Sequence, residues 1–297
     1  MTDGRLQVKV YGAGELVGGL EVFDAVKNGT AEIGHSGAYY WKGKIPAAQM
    51  FTAIPFGMNV QEMNGWLHYG GGMELWEELY EPHGLVPMAG GSTGIQMAGW
   101  FKKEINSVED FKGLKMRIPG LAGEVIKRMG GVPVTMPGGE LFTALQTGAI
   151  DATEWVGPYN DMAFGFYKAA NYYYYSPWHE PGATLEFIFN KKQLESLPKD
   201  MQKIVRVAAR MINHDMLDEY TEANNRALNQ LINKHGVQLK QFSPEIMAKL
   251  KAVTAEVMAE EVAKDPAMKK VWDSYQAFYN NAKAYHEISE RAYYNHR

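Results

Sequence analysis

The sequence predicts an α/β protein with two similar lobes, because one pattern of strand and helix occurs twice in the chain. The first copy, VKVYGAGEL followed by EVFDAVKNGTAEIG, covers residues 8–34, and the second, VPVTMPGGELFTALQTGAIDATEW, covers residues 132–155. Each copy has a β-rich run, a glycine-rich turn, a helical segment and a second β-rich run, which is typical of a βαβ unit. Two copies are too few for a solenoid, so we expect two lobes with a ligand cleft between them.

Gly29 and Gly148 occupy the same place in the two copies, directly after the helical segment. Glycine is favoured at the position that ends a helix, because it adopts the left-handed backbone conformation without a steric penalty. When the helical segments are aligned, Phe23 also corresponds to Phe142. The agreement supports a common structure for the two copies.

The last third of the chain is mostly helical. Pro198 stands at the start of a periodic helical segment that continues to Gly236, and the following GVQLKQF predicts a strand. A Ser-Pro pair at residues 243–244 opens another helix, and an Asp-Pro pair at residues 265–266 predicts a break in it. Strands that alternate with helices earlier in the chain keep the prediction α/β despite this helical end.

The pattern also predicts how the chain is divided. We expect residues 1–96 and 188–236 to form the first lobe and residues 97–187 to form the second. Residues 237–297 would then supply a C-terminal strand and helices that pack on the lobes or on a dimer partner. The segments IQMAGWF and TLEFIFN are the best candidates for strands that cross between the lobes.

The composition excludes several classes of protein. The net charge is −4 and no block of basic residues is present, so the chain lacks the positive charge that binding to nucleic acid requires. The absence of cysteine removes thiol catalysis, thiolate metal sites and disulfides. No apolar run approaches the roughly 18 residues that a transmembrane helix needs.

Enzyme motifs are weak in this sequence. GGSTG at residues 90–94 matches the G-x-S-x-G pattern with Ser92 as nucleophile, but such a serine stands between a strand and a helix, and IQMAGWF after it has the composition of a strand. We therefore expect a turn there and keep a serine hydrolase as an alternative. The eight histidines lack zinc-ligand spacing, and no nucleotide-binding glycine motif opens a helix. We predict no catalytic residue and no organic cofactor.

Arg117 is a lone guanidinium in the otherwise apolar segment KMRIPG. An arginine at such a position needs an anionic partner, because an unpaired buried charge costs several kcal/mol. Its planar fork matches a carboxylate, to which it donates two hydrogen bonds at once. Either a bound ligand or a neighbouring acidic residue supplies that carboxylate, and both interpretations stay open at this point.

Glu154 and Trp155 lie where the second repeat ends in a Gly-Pro turn, and strand ends beside a cleft are where α/β proteins bind ligands. A carboxylate next to an anion-binding arginine is compatible with a ligand when a cation lies between them. Ca²⁺ or Na⁺ held by oxygen ligands would satisfy this condition, with Gln96 and Glu180 as further oxygen donors. The alternative for each glutamate is an ordinary surface or ion-paired residue.

The segment GLKMRIPGLAGEVIKRMGGVPVTMPGGELFTALQTGAIDATEWVGPYND closely resembles the TRAP-type (tripartite ATP-independent periplasmic) solute-binding proteins. The resemblance extends from Gly4 to the C-terminus and includes GTAEIGHSGAYYW, GGSTGIQMAGWF and YYYYSPWHEPG. Within the family the chain is similar to the branch associated with 2-oxo and related monocarboxylates, some of whose members carry mannitol or chloroaromatic names.

The resemblance implies a two-lobed periplasmic-binding-protein-like fold, in which each lobe is a mixed sheet flanked by helices and long helices form the C-terminal end. It implies an extracytoplasmic solute receptor that binds a small 2-oxo or 2-hydroxy monocarboxylate, such as pyruvate or lactate, and delivers it to a TRAP membrane permease. It also implies a periplasmic location and, in some members, dimerisation through the long helices.

The family pattern assigns roles to particular residues of this chain. Arg117 matches the arginine that pairs with the substrate carboxylate. A Na⁺ or Ca²⁺ ion that bridges to the substrate would be held by Gln96, Glu154, Trp155 and Glu180. Substrate contacts would come from Gln96, Glu154 and Trp155, and the walls of the pocket from Tyr40 and Phe56.

One departure from the family concerns the first lobe. Family members have a signal peptide and then a first strand and helix before the segment equivalent to GRLQVKVY, whereas this chain starts at that segment. We therefore expect a sheet with two additional exposed edges, and export is inferred from the resemblance alone. The alternative function is a ligand-sensing interaction module of the same fold, and the second alternative is the hydrolase that uses Ser92.

Overall fold

Nine strands and eleven helices make up the computed structural model, which describes residues 1–297. The strands are β1 (Ile33–Ser36), β2 (Leu85–Gly94), β3 (Gly99–Phe101), β4 (Lys115–Arg117), β5 (Val132–Val134), β6 (Ala152–Thr153), β7 (Tyr172–Tyr174), β8 (Ala183–Asn190) and β9 (Gln238–Lys240). They form two separate sheets, one of three strands in the order β1-β8-β2 and one of six in the order β5-β4-β6-β3-β7-β9. The α/β class and the two sheets confirm the predicted fold.

The helices cover both sheets and form the C-terminal part of the chain. They are α1 (Val22–Lys27), α2 (Val60–Tyr69), α3 (Gly72–Tyr80), α4 (Gly120–Arg128), α5 (Gly138–Thr147), α6 (Pro158–Phe164), α7 (Lys191–Ser196), α8 (Lys199–Asn233), α9 (Pro244–Lys264), α10 (Pro266–Ile288) and α11 (Glu290–Tyr294). None of them combines the length and the hydrophobicity that crossing a lipid bilayer requires.

The three-stranded sheet forms the first lobe, and both of its strand pairs are antiparallel. Its central strand, β8, buries Ile188 in the core on one face and Phe189 in a separate cluster on the other. The pairing of β2 with β8 shifts register between Ala89 and Gly94, and at Gly90 an added Cβ would lie 2.3 Å from the ring of Phe187. Glycine therefore fits this bulge where a larger residue would not. The mixed sheet that we predicted for each lobe is wrong for this one.

The six-stranded sheet forms the second lobe and is mixed. β4 pairs in parallel with β5 and with β6, whereas β3 is antiparallel to β6 and β7. The rings of Trp100 and Tyr173 on neighbouring strands stack 4.0 Å apart in its core. Because β4 and β6 are parallel neighbours, their C-terminal ends lie side by side at one edge of the sheet.

The repeat folds as predicted in its second copy and only in part in its first. The second copy gives β5, α5 and β6, and the first gives α1 and β1. Gly29 and Gly148 both have positive φ, at 77° and 81°, as the helix-ending position requires. The predicted strand at residues 8–11 is wrong: Val8 and Val10 are 64% and 84% exposed, and this run joins neither sheet because no strand lies beside it.

Long helices connect the two lobes. Early in α8, Val205 and Ala209 pack on the core beneath the first sheet, and near its end Leu231 packs in the core of the second lobe. α9 packs on α4 of the second lobe, and α10 packs on α2 and α3 of the first. These helices begin where the sequence predicts, since Ser243 and Asp265 cap α9 and α10 by accepting hydrogen bonds from backbone N–H groups.

Two strands lie outside the divisions that we predicted for the chain. β8 begins at Ala183, before the predicted boundary at residue 188, because it pairs along its whole length with β2 of the first lobe. β9, which we placed in a separate C-terminal segment, pairs in parallel with β7 and so extends the second sheet. The division of the chain into lobes otherwise stays a prediction.

Gly182 lies just before β8, in the segment that connects the two sheets, and packs closely against the start of α2. An added Cβ would lie 2.4 Å from the backbone carbon of Asn59 and 2.6 Å from the nitrogen of Val60, and neither can move without the start of α2. We expect Gly182→Ala to lower the free energy of unfolding by about 1–3 kcal/mol, as overpacking does. Urea unfolding measures this change. Gly139→Ala, at an exposed position with no atom nearby, is the matched control and should be neutral or slightly stabilising.

A buried carboxyl in the first lobe predicts a pH dependence of stability. Burial raises the pKa of Glu186 to about 8, although Trp41 and Tyr80 donate hydrogen bonds to its Oε1. The folded state therefore keeps a proton on Glu186 that the unfolded chain releases near pH 4.5. The stability that this proton contributes is present at low pH and is lost as the pH rises towards 8.

We expect Glu186→Gln, which keeps an oxygen acceptor, to remove this loss. The free energy of unfolding of the wild type relative to the variant should fall by about 1 kcal/mol per pH unit between pH 5 and 8. Denaturant unfolding at several pH values measures the difference, and parallel pH curves for the two proteins would contradict the prediction.

Candidate functional site

The candidate site lies between the lobes, at the C-terminal ends of β4 and β6. Arg117 is the last residue of β4 and Glu154 directly follows β6, and the N–H of Glu154 donates a hydrogen bond of 3.2 Å to the carbonyl of Arg117. The two side chains leave neighbouring parallel strands on the same side and form an ion pair. Ligand sites in α/β proteins occur at such strand ends.

The guanidinium of Arg117 is buried and almost completely engaged. Nη1 donates to the carboxylate of Glu154, and Nη2 donates to the hydroxyl of Tyr40 at 2.8 Å. Burial alone would lower the pKa of Arg117, but Tyr40 and Glu154 raise it above its ordinary value, so the charge is retained. Since Tyr40 belongs to the 3₁₀ helix Ala38–Trp41 of the first lobe, this hydrogen bond joins the two lobes.

Trp155 lies over the same guanidinium. The carbon at the centre of the Arg117 guanidinium is 5.0 Å from the centre of the indole ring, within the range of a cation–π interaction. Behind the indole, Gly138 at the start of α5 leaves room that a Cβ would fill, since such an atom would lie 2.6 Å from the ring. The glycine pair of the second repeat thus permits the close approach of α5 to Trp155.

Two segments that cross between the lobes bring further polar groups to Glu154. Gln96 lies between β2 and β3, and His179 and Glu180 lie between β7 and β8. The backbone N–H of Gln96 donates to the carbonyl of Glu180 at 3.1 Å, which holds the two segments together. His179 Nε2 is 3.4 Å from Glu154 Oε2.

Three buried side-chain oxygens of these residues have no hydrogen-bond partner. They are Gln96 Oε1, Glu154 Oε2 and Glu180 Oε2, and both ring nitrogens of His179 share this property. A buried polar group without a partner costs roughly 1–3 kcal/mol. Ligand atoms of Glu154, His179 and Glu180 all lie within 4.8 Å of one another. Carboxylate and amide oxygens so arranged fit Ca²⁺ or Na⁺, which prefer oxygen ligands.

Electrostatics at the site favour a proton or a cation beside the glutamates. Burial, together with the charge of Glu154, raises the pKa of Glu180 well above its ordinary value. Burial also raises the pKa of Tyr39, with Glu180 as a further contributor. Both shifts disfavour additional negative charge in this part of the cleft, and a positive ion bound near the two carboxylates would offset it.

The structure brings most of the predicted site residues together. Arg117 contacts Glu154, Trp155 and Tyr40 directly. Gln96 and Glu180 are joined to each other by a backbone hydrogen bond, and a carboxylate oxygen of Glu180 lies within 4.8 Å of one of Glu154. The indole nitrogen of Trp155 is a donor only, so the backbone carbonyl is the one ligand that this residue could offer a cation. The binding roles of all these residues stay predictions.

Phe56 lies at the margin of the site. Its N–H donates to the carbonyl of Trp178 at 2.7 Å, and its ring centre is 6.2 Å from that of Trp178. Its φ of 56° is unusual for a phenylalanine, and the hydroxyl of Tyr279 donates to its carbonyl at 3.2 Å, which helps to hold this conformation. Its role as a pocket wall also stays a prediction.

Three residues near the site were not predicted from the sequence. They are His179, Tyr39 and Asp161. Asp161 Oδ1 accepts a hydrogen bond from the N–H of Val156, which fixes the loop that carries Glu154 and Trp155. Burial raises the pKa of Asp161 to about 7, against hydrogen bonds from Tyr173 and Trp100. The adjacency of His179 to Glu180 was the one available signal in the sequence.

Ser92 is placed differently from a nucleophile. It lies inside β2, not in a turn as we predicted, and its Oγ donates to the carbonyl of Ala183 at 3.0 Å. Ser92 is completely buried, and its side chain forms a hydrogen bond between the paired strands β2 and β8. The strand-to-helix elbow that a G-x-S-x-G serine needs is not formed at Ser92.

Two lobes around a buried arginine and a group of unpaired oxygens define a bilobal solute-binding protein. The chain belongs to the DctP family, the bacterial extracellular solute-binding proteins of family 7, whose model matches residues 1–265. This membership confirms the predicted resemblance to the TRAP-type solute-binding proteins. The family is one of transport proteins that bind solutes.

A characterised relative is similar along almost the whole chain. It is the monocarboxylate 2-oxoacid-binding periplasmic protein of Nostoc sp. strain PCC 7120, which is 45% identical over 99% of this chain and 81% of its own length. The ectoine-binding periplasmic protein TeaA of Halomonas elongata is 25% identical over 84% of this chain. The similarity is thus much stronger to the 2-oxoacid-binding relative.

Solved structures of TRAP periplasmic solute-binding proteins are similar in fold. One from Colwellia psychrerythraea, with bound calcium and pyruvate, is 46% identical with a TM-score of 0.91 and covers 94% of this chain and 85% of its own. One from Pseudoalteromonas atlantica T6c, with bound sodium and pyruvate, is 44% identical with the same TM-score and covers 94% and 84%. One from Bordetella bronchiseptica RB50, a mixed occupancy dimer with calcium and picolinate, is 36% identical with a TM-score of 0.97 and covers 99% and 87%.

The unpaired oxygens lead to a prediction for Glu180→Gln. In EDTA at neutral pH the variant should melt near the wild-type temperature, because the raised pKa of Glu180 already favours the uncharged carboxyl. With Ca²⁺ and pyruvate at about 100 times their Kd, the wild type should gain roughly 2.7 kcal/mol of stability, and the variant much less. Thermal melts measure both, with the exposed Glu195→Gln as control. Equal Ca²⁺-dependent shifts in wild type and Glu180→Gln would remove Glu180 from the site.

Proposed function

We propose that this protein is the periplasmic receptor of a TRAP transport system, which binds a small 2-oxo or 2-hydroxy monocarboxylate together with Ca²⁺ or Na⁺ and delivers it to the membrane permease. Pyruvate and lactate are small members of this substrate class. The observation that carries the proposal is the buried pairing of Arg117 with Glu154 beside three unpaired side-chain oxygens. Relatives that bind pyruvate with calcium or sodium support it.

The charges of the site explain why an anion and a cation would bind together. Glu154 already balances the charge of Arg117, and Glu180 is buried beside them, so a substrate carboxylate alone would add a negative charge that no group of the site balances. A bound cation would supply positive charge to the glutamates, the substrate carboxylate and the 2-oxygen at once. The residues that would hold it are Gln96, Glu154 and Glu180, with the carbonyl of Trp155.

Arg117 would fix the orientation of the substrate carboxylate. Its Nη1 donates to Glu154, whereas Nη2 donates to the hydroxyl of Tyr40. Nη2 therefore has a second N–H that could donate to a substrate carboxylate. The Tyr40 hydroxyl could donate its own O–H to the same carboxylate. A charge-assisted hydrogen bond of this kind contributes roughly 1.5–3 kcal/mol.

Binding would be coupled to closure of the lobes. The Tyr40–Arg117 hydrogen bond crosses the cleft, as does the half-exposed ion pair of Lys42 with Glu124 at its rim, at 3.4 Å. A carboxylate that engages both Arg117 and Tyr40 would add contacts that exist only when the lobes are together. The ligand would thus shift an existing balance between open and closed forms towards the closed one.

Arg117→Lys tests the carboxylate site. A lysine retains the charge but offers a point charge in place of the planar fork, so we expect the Kd for pyruvate to rise at least tenfold, which corresponds to about 1.4 kcal/mol. Isothermal titration calorimetry in Ca²⁺ buffer measures the Kd. Arg206→Lys, at an exposed ion pair with Glu77, is the matched control and should bind as the wild type does.

Two results of these binding measurements would contradict the proposal. An unchanged Kd for pyruvate in a folded Arg117→Lys protein would remove the guanidinium from the site. Failure of the wild type to bind any 2-oxo or 2-hydroxy monocarboxylate would overturn the proposed function itself.

A further inference from the structure

We propose that His179 is a nitrogen ligand of the bound cation, so that the site also accepts divalent transition metals that favour imidazole, such as Mn²⁺ and Co²⁺. The inference rests on the proposed function, since it takes the cation site as given and adds a ligand to it. It concerns His179, a residue that we did not predict for the site from the sequence.

The first observation is that His179 is buried without a hydrogen-bond partner. The residue is 1% exposed, and neither Nδ1 nor Nε2 is within hydrogen-bond geometry of any acceptor or donor. A neutral imidazole carries one donor and one acceptor, and leaving either unsatisfied in the interior costs roughly 1–3 kcal/mol. A bound cation would give one of these ring nitrogens a partner.

The second observation is the distance from His179 to the other ligand atoms. Nε2 lies 3.4 Å from Glu154 Oε2, and ligand atoms of Glu154, His179 and Glu180 are mutually within 4.8 Å. Atoms that coordinate one ion through bonds of about 2.1–2.5 Å are at most about 5 Å apart. The distances between these ligand atoms are therefore short enough for one cation to be bound by all three residues.

The third observation is what packs on the two sides of the His179 ring. The ring of Trp178 packs 5.6 Å from that of His179, and the carbonyl of Trp178 accepts the N–H of Phe56. On the other side, Glu154 Oε1 is taken by Arg117, which leaves Oε2 directed to the histidine.

A nitrogen ligand changes which cations the site prefers. Oxygen ligands alone suit Ca²⁺ and Na⁺, whereas imidazole suits first-row transition metals, whose affinity rises from Mn²⁺ through Co²⁺ to Ni²⁺. The site should therefore hold Co²⁺ more tightly than Ca²⁺ in the presence of pyruvate. His179→Gln, which replaces the nitrogen ligand with an amide, should reduce the ratio of Co²⁺ to Ca²⁺ affinity by roughly tenfold or more.

The experiment detects the nitrogen directly. Wild-type protein is loaded with Mn²⁺ and pyruvate and studied by electron spin-echo envelope modulation, once with natural histidine and once with ¹⁵N-labelled histidine. We expect a directly coordinated nitrogen whose coupling changes with the label, because His179 is the one histidine in the ligand group. Absence of that coupling overturns the inference without the use of any variant.

Calorimetry with Co²⁺ and Ca²⁺, each with pyruvate, provides the second measurement. A lower affinity for Co²⁺ with retained affinity for Ca²⁺ in His179→Gln supports the inference, and an equal loss of both overturns it in favour of a structural role. The exposed His296→Gln is the matched control. If Ca²⁺ and pyruvate bind but no nitrogen couples, the proposed function stands alone; if neither ion binds with pyruvate, both fail.

Discussion

The burial of three ionised or ionisable groups at one point constrains the rest of this structure. Arg117, Glu154 and Glu180 are all at most 3% exposed, and they carry one positive charge against two carboxyl groups. A buried ion pair is stable only when its geometry and remaining hydrogen bonds are satisfied. Arg117 meets that condition through Glu154 and Tyr40, but Glu180 does not, so the site is complete only with a further positive ion or a proton.

The topology of the second lobe makes this arrangement possible. Parallel pairing of β4 with β6 aligns the ends of the two strands, so that Arg117 and Glu154 become neighbours although they are far apart in sequence. The chain enters the second lobe at β3 and leaves it after β7, and because these two strands are antiparallel neighbours, Gln96 before β3 and Glu180 after β7 come close together. The first lobe contributes from the other side through Tyr40. The site is therefore a property of both lobes together.

The sequence predicted those parts of the molecule that depend on local chemistry. Helix starts at Ser243 and Asp265, helix ends at Gly29 and Gly148 and the strand that carries Arg117 all follow from residues close to them in the chain. Pairing across the chain was not predictable in this way. The run at residues 8–11 has the alternation of a strand but no partner strand. The predicted boundary at residue 188 falls inside β8, because this strand pairs with β2 from residue 183 onwards. His179 was missed because a single histidine carries no spacing signal, and its surroundings exist only in three dimensions.

Closure of the cleft must be reconciled with the number of connections between the lobes. The chain crosses after β2, between β7 and β8, along α8, and at the junction of α9 and α10, so relative motion has to be shared among several segments. α8 spans both lobes as one helix, which favours bending over free rotation. Two of the ligands proposed for the cation, Gln96 and Glu180, belong to two of these crossing segments. A bound ion would therefore fix the connecting segments themselves as well as the substrate, and the geometry of closure would be set where the site is assembled.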